Sequence, residues 1–405
     1  MDLSFLPKLP LPISGLALFG IILLAGLVGG RLVSSFGWLP KIAGYVAIGA
    51  VFGAGGLNLL TPEMVTHGRV FVDIALGLIL FELGRHLDLS WIGHERGLLL
   101  TGLLECTLSF LLPFFVLVYL GHPRLVSAEV AALGIATGPA VTLLVAKELG
   151  AEGQVTRRLL SLTALNNVMA IVVFTALWAF VHRAHQASVL MRAAHPLYLL
   201  IGSVVLGFAM HLLTITLAAW LGKQRSAQFI MLVGVVIFAI GAAQALHLSV
   251  PLTLLALGIM SKNLDPRYRI LPLEFGHASQ LFYVILFVII GANLKLGEFI
   301  VLGWALPALI AARFVGKTLA IFIFARLSRL TLMQAAMLSL ALLPMTGPAI
   351  AMTFSVSDVY PQFGAQLAAM VVASIAALDL IGPIATQFAL KRAGEANPDK
   401  VRERN

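Results

Sequence analysis

The sequence predicts an all-α integral membrane protein with about thirteen transmembrane helices, built as two inverted repeats that each contain one discontinuous helix. Three observations carry this expectation. Hydrophobic residues fill 60% of the 405 positions and charged residues 11%, and the mean hydropathy is +0.99. That is more apolar surface than a water-soluble fold of this length can bury. Two apolar runs are interrupted near their middles by nearly the same residues, Ala136-Thr137-Gly138-Pro139-Ala140 and Met345-Thr346-Gly347-Pro348-Ala349, 209 positions apart. The pattern Gly84-x-x-Leu87-x-Leu89 recurs as Gly291-x-x-Leu294-x-Leu296 at an offset of 207.

A membrane-spanning helix needs roughly 20 apolar residues. Runs of that kind fall near 13–30, 42–60, 70–88, 97–121, 125–146, 159–182, 196–221, 227–246, 248–261, 277–294, 297–325, 331–355 and 363–390. The first lacks a basic leader and a cleavage signal, so it is expected to be a retained helix. The ninth is the shortest and holds Pro251. Residues 391–405 read as a polar tail, with no appended regulatory domain expected. Cationic residues mark the connections. With thirteen spans, 19 Lys and Arg fall on the side of the C-terminus and six on the other; Arg313 and Lys317, inside a span, complete the 27. The bias predicts an outside N-terminus and a cytoplasmic C-terminus in a plasma (bacterial inner) membrane. Basic residues are spread singly, so no nucleic-acid partner is expected. The one cysteine, Cys106, excludes a disulfide framework or a thiolate metal site.

The two breaks have a physical consequence. Proline removes a backbone donor and clashes with the preceding turn, and an adjacent glycine lets the chain leave helical geometry. Within a bilayer such backbone survives only where protein or a cavity surrounds it. Paired interruptions, one in each half, point to a transporter's substrate site at mid-membrane. Thr137 and Thr346 can cap freed donors or ligate a cation through oxygen, with Gly138 beside them.

Polar groups inside spans each need a reason, because they are costly there. Asn166 and Asn167 lie about 12–14 Å in from one end of the sixth span. Thr137, Thr346, Arg313 and Asp379 also fall mid-span, so six groups from five helices are expected to converge at one depth. Arg313 stays charged and is expected to compensate broken-helix carbonyls or to pair with Asp379. Lys317 follows four residues later on the same face and is expected to snorkel toward the nearer interface. Glu105, near mid-depth in the fourth span, and Glu82, toward the inner end of the third, are secondary candidates; packing roles are the alternative for both. His211 reads as a bonded core residue. No metal-type spacing and no nucleophile–base pair occurs, so neither a metal site nor an enzyme is expected.

The strings Thr137-Gly138-Pro139, Lys147-Glu148-Leu149-Gly150-Ala151-Glu152-Gly153 and Leu165-Asn166-Asn167-Val168 resemble the cation:proton antiporter superfamily, in particular its second bacterial branch. Leu78-Ile79-Leu80-Phe81-Glu82-Leu83-Gly84, Ile290-Gly291-Ala292 and Arg313-Phe314-Val315-Gly316-Lys317 extend the resemblance over most of the chain. It implies two broken helices crossing beside an acidic pair that binds sodium, potassium or protons in turn, without a cofactor. It also implies a homodimer in which a core, about 97–182 and 297–390, moves against a scaffold, about 13–88 and 227–294. A linker helix at about 196–221 would join them within a single transporter domain, 1–390. The position of Arg313 resembles that of a membrane-embedded lysine or arginine in the family.

The acidic pair of that family is Asn166-Asn167 here. Asparagine offers a carbonyl oxygen but does not titrate. Three accounts follow: a substituted aspartate, a relocated acid, or a protein that does not exchange protons. The leading expectation is a secondary transporter exchanging Na+ or K+ for protons by an elevator motion. The alternatives are a transporter of an anion or small organic solute held by Arg313 and half-helix ends, and a sensor-like membrane protein.

Overall fold

The computed structural model describes residues 15–36, 39–53, 56–57, 59, 62–184, 188–265, 270–271, 276–292, 302–345 and 348–397. Among them there are sixteen helices and no strand. In chain order they are α1 (Gly15–Ser34), α2 (Lys41–Phe52), α3 (Pro62–Arg85), α4 (Leu89–His94), α5 (Arg96–Tyr119), α6 (Arg124–Ile135), α7 (Pro139–Glu148) and α8 (Gln154–Ala184). Then come α9 (Val189–Leu221), α10 (Arg225–Ala245), α11 (Val250–Asn263), α12 (Gly276–Ala292), α13 (Ala305–Ile323), α14 (Leu332–Ala341), α15 (Pro348–Val359) and α16 (Pro361–Arg392). Setting aside the short α4 and counting α6–α7 and α14–α15 once each leaves thirteen helical stretches among the described residues.

Seven of these stretches are long and apolar enough to cross a bilayer: α5, α6 with α7, α8, α9, α10, α13 and α16. Large apolar side chains also face outward, including Leu24, Phe115, Trp220 and Trp304. A surface of that kind is suited to lipid rather than water. The protein is therefore a multi-pass membrane protein. Several boundaries differ from expectation: α3 begins at Pro62 rather than near 70, and α9 at Val189 rather than near 196. The second span stops at Phe52 rather than near 60, because Gly53 carries the backbone up against Ala292. The eleventh begins at Ala305, and residues 293–301, with part of the second repeat string, lie outside the described residues.

The helices pack in two groups. In one, α5 lies along α13 and α6, with α8, α14, α15 and α16 closing around them. In the other, α1, α2, α3, α10, α11 and α12 pack together. The long α9 lies against both α8 and α11.

The repeat seen in the sequence recurs in this packing. Gly84 on α3 faces Gly258 on α11: a Cβ at Gly84 would lie 3.0 Å from the Gly258 Cα and 2.6 Å from the Leu255 oxygen. Gly291 on α12 faces Gly49 on α2 in the same way, its Cβ falling 3.0 Å from the Gly49 Cα and 2.2 Å from the Val46 oxygen. Gly49 and Gly258 are 209 positions apart, and Gly84 and Gly291 are 207. Each half therefore supplies one member of each backbone-to-backbone contact.

Candidate functional site

The first break forms as its residues dictate. Helix α6 ends at Ile135, Ala136 turns to φ −57°, ψ 140°, and Gly138 is extended before Pro139 opens α7. Proline suits that first helical position because its missing donor would be unsatisfied there anyway. Helix α14 ends at Ala341, Leu343–Met345 continue without helical geometry, and Pro348 opens α15. Thr346 and Gly347 lie outside the described residues. The two breaks meet directly, since the Gly138 amide donates to the Pro344 carbonyl at 2.9 Å.

A helix that stops in a membrane leaves carbonyls without partners. Arg313 collects those of both breaks. Its Nε donates to Gly134 O (2.6 Å), Nη1 to Leu343 O (2.6 Å), and Nη2 to Ala136 O (2.7 Å) and Pro344 O (3.1 Å). The guanidinium thus donates to carbonyls on both sides of the meeting point of the two breaks. The anticipated pair with Asp379 does not form, because the guanidinium fork is already committed to four carbonyls. Asp379 is fully buried on α16, and neither carboxylate oxygen has a hydrogen-bond partner. It lies one turn before Gly382, which packs on Pro344 of the second break.

Lys317 does not snorkel. It is fully buried, and its ammonium donates to Glu105 Oε1, to Ile135 O (3.2 Å) and to Thr137 Oγ1 (3.1 Å). All three of its donors are thereby used. Gly316 explains the destination. A Cβ there would lie 2.8 Å from the Leu108 backbone, so its absence lets α13 approach α5 closely. That approach brings Lys317 to Glu105.

The asparagines complete the centre. Asn166 Nδ2 donates to Glu105 Oε1 (3.1 Å) and Thr137 Oγ1 (3.0 Å), and its Oδ1 accepts from Cys106 Sγ (3.4 Å). Asn167 Nδ2 donates to Thr137 O (2.7 Å) and Thr163 O (2.8 Å). Glu105, Thr137, Asn166, Asn167 and Lys317 are all fully buried, and Arg313 nearly so. Three buried oxygens from this set have no hydrogen-bond partner: Glu105 Oε2, Asn167 Oδ1 and Thr163 Oγ1. All three are hard oxygen atoms of the kind that small cations take.

The structure thus brings together Thr137, Gly138, Asn166, Asn167, Arg313, Lys317 and Glu105. Glu82 stands apart, its Oε1 2.6 Å from Lys147 Nζ near the ends of α3 and α7. His211 is a buried residue beside Ser261, with Nδ1 3.4 Å from its hydroxyl. Sequence reasoning missed two groups. Thr163 lies one turn before Asn167 on the same face, and that spacing was the available signal. Glu129 is a fully buried carboxyl on α6 with neither oxygen bonded, and its place in an apolar run marked it.

A cavity of about 360 Å³ lies between the two helix groups. Phe174, Thr175 and Trp178 of α8 and Pro348 and Met352 of α15 line one side; Asp73 and Gly77 of α3, Gln244 of α10 and Leu254 of α11 line the other.

A family model described as sodium/hydrogen exchanger, transmembrane, matches residues 19–392. No curated protein matches the chain. Among solved structures, the chain resembles the sodium proton antiporter MjNhaP1 from Methanocaldococcus jannaschii at pH 8, with 15% identity and a TM-score of 0.64 over 93% of this chain and 95% of that one. An electron-microscopy structure of the same antiporter gives 15% identity and a TM-score of 0.68 over 99% and 97%.

Proposed function

The chain belongs to the sodium/hydrogen exchanger family, and from that premise we propose that it exchanges a monovalent cation, Na+ or K+, for protons, with Glu105 as the exchanging carboxylate. The observation that carries this reading is the buried Glu105, bonded at once to Lys317 and to Asn166 beside the first break. Asparagines 166 and 167 do not titrate, so the competing charge comes from the neighbouring helix α5 instead.

The chemistry follows from competition for one carboxylate. In the present arrangement the Lys317 ammonium neutralises Glu105. A cation that takes Glu105 Oε2, Asn167 Oδ1 and Thr163 Oγ1 displaces that ammonium. A lysine left without its counter-charge in a low-dielectric core is costly, and release of its proton relieves the cost. One cation therefore enters as one proton leaves. Asn166 and Asn167 use their amide donors to fix Thr137 and the break, which keeps the Asn167 carbonyl oxygen free for the ion. Arg313 holds the two breaks together throughout.

Access alternates, in this proposal, by movement of the group built on α5, α6, α13 and α16 against the group built on α1–α3 and α10–α12. The cavity between them supports the reading, as does the packing of α9 against both. The 19-to-6 distribution of Lys and Arg supports an outside N-terminus and a cytoplasmic C-terminus in a bacterial inner membrane. A homodimer joined through the scaffold helices accords with the resemblance. The alternative of an anion or solute held by Arg313 loses its binding group, since that guanidinium is committed to backbone carbonyls.

The experiment is exchange in proteoliposomes containing a pH-sensitive dye. Addition of Na+ or K+ is expected to alkalinise or acidify the lumen according to the gradient, and Glu105→Gln is expected to abolish the signal while the protein stays folded. Silence of the wild type with Na+, K+ and Li+ would overturn the reading in favour of the sensor-like alternative. Undiminished exchange by Glu105→Gln would remove Glu105 from the role.

A further inference from the structure

The end of α8 remote from Asn166 carries a second cluster of titratable groups that the proposed exchange does not use. His182 is fully buried. Its Nδ1 lies 2.7 Å from the Tyr360 hydroxyl, and its Nε2 lies 2.8 Å from His195 Nδ1. The three residues come from three elements: His182 from α8, His195 from α9 and Tyr360 from the N-cap of α16. Trp178 stands edge-on to both imidazoles, with ring centroids 5.5 Å from His182 and 4.9 Å from His195. His195 and Trp178 also line the 360 Å³ cavity.

We propose that His182 and His195 form a proton-binding site, separate from Glu105, that holds α9 against α8 and α16 and releases it on acidification. The counting of donors supplies the mechanism. We assign His195 Nδ1–H as the donor to His182 Nε2, and His182 Nδ1–H as the donor to the Tyr360 oxygen. This leaves His195 Nε2, on the cavity-lining residue, with its lone pair available. A first proton taken there keeps both hydrogen bonds. A second proton has only His182 Nε2 to occupy, which sets two N–H donors and two positive charges face to face at 2.8 Å. The contact must then open. Histidine titrates in the range where cells and their surroundings differ, which places the first proton within physiological reach. The other charged and titratable groups near the pair are Arg183 beside His182 on α8, Arg192 one turn from His195 on α9, and Asp73 and His247, which line the same cavity. Asp358 precedes Tyr360 by two positions in the sequence.

Trp178 provides the readout, because an imidazolium in contact with an indole quenches its emission. A protein retaining Trp178 alone, with Trp38, Trp91, Trp220 and Trp304 each replaced by Phe, is titrated in lipid nanodiscs. Emission is expected to fall with a midpoint between about pH 5 and 7, and to be flat over that range in His195→Gln. A second measurement reads the opening itself. Thr175→Cys places a thiol at the buried wall of the cavity, and its labelling by a polar thiol reagent, compared at each pH with the same protein carrying His195→Gln, is expected to rise several-fold on acidification. Both effects must persist in Glu105→Gln, which separates this site from the exchange reading. An unchanged Trp178 titration in His195→Gln, or labelling in a constant ratio across pH, would overturn the proposal.

Discussion

Arg313 shows how one side chain can make two snapped helices tolerable inside a membrane. Four carbonyls that would otherwise lack donors share its guanidinium. Arg313→Ala is expected to cost about 3–5 kcal/mol, because it strands those oxygens at once. Arg313→Lys supplies at most three donors in another geometry and is expected to recover only part of the loss. Thermal melting in detergent measures both. Lys317→Met removes the partner of Glu105 and leaves an unpaired buried carboxylate; melting is expected to drop and cation-driven proton movement to cease. Much at this scale was legible. Asn166, Asn167, Thr137 and Arg313 stood out because each is polar within an apolar run. Lys317 and Glu105 were harder, since their meeting depends on how closely α13 approaches α5. That distance is set by Gly316 against Leu108, a contact between positions more than 200 residues apart.

Among elements, the two breaks contrast with three prolines that break nothing. Pro113, Pro196 and Pro383 lie inside α5, α9 and α16, which remain continuous. Neighbouring groups absorb a single lost donor, whereas a Gly-Pro pair both removes the donor and permits another backbone path. The sequence revealed this through the duplication of Thr-Gly-Pro-Ala rather than through proline alone. Gly316→Val is expected to push α13 from α5 and to cost about 1–3 kcal/mol through overpacking. Transport is expected to fall further than that loss of stability explains, as Lys317 leaves Glu105; melting and proteoliposome exchange, measured on the same variant, separate the two effects. At the start of α14, Thr331 and Gln334 form a reciprocal cap, with each side chain accepting from the other's backbone amide. Thr331→Ala is expected to cost about 0.5–2 kcal/mol by the same melting assay.

Across the whole molecule, the inverted repeat was legible from two short strings and their offsets, and helix packing repeats it. What the strings could not convey was which helices meet. Gly84 and Gly291 recur as matching letters in the two strings, while Gly49 and Gly258, on which they rest, lie outside them. Adjacent backbones explain them, and that is a property of pairs rather than of one run. Gly49→Ala and Gly258→Ala are each expected to destabilise by about 1–3 kcal/mol, since the added methyl meets the Val288 oxygen at 2.1 Å or the Phe81 oxygen at 2.2 Å. The two losses should be similar. Gly234→Ala and Gly241→Ala, where nothing lies within 4 Å, are expected to gain about 0.5–1 kcal/mol from helix propensity alone. Melting of the four variants side by side checks the contrast.

Those paired glycines also bear on how the chain is made. The bare faces of α2 and α3 leave the ribosome first, and the helices that cover them, α11 and α12, follow some two hundred residues later. At about 5–20 residues per second, translation takes roughly 10–40 s to deliver them. Throughout that interval the early helices must wait in lipid, or beside an insertion factor, with a groove cut for a partner not yet born. Neither half can finish alone, so a gene split between α9 and α10 should yield working protein only when both pieces are synthesised in the same cell.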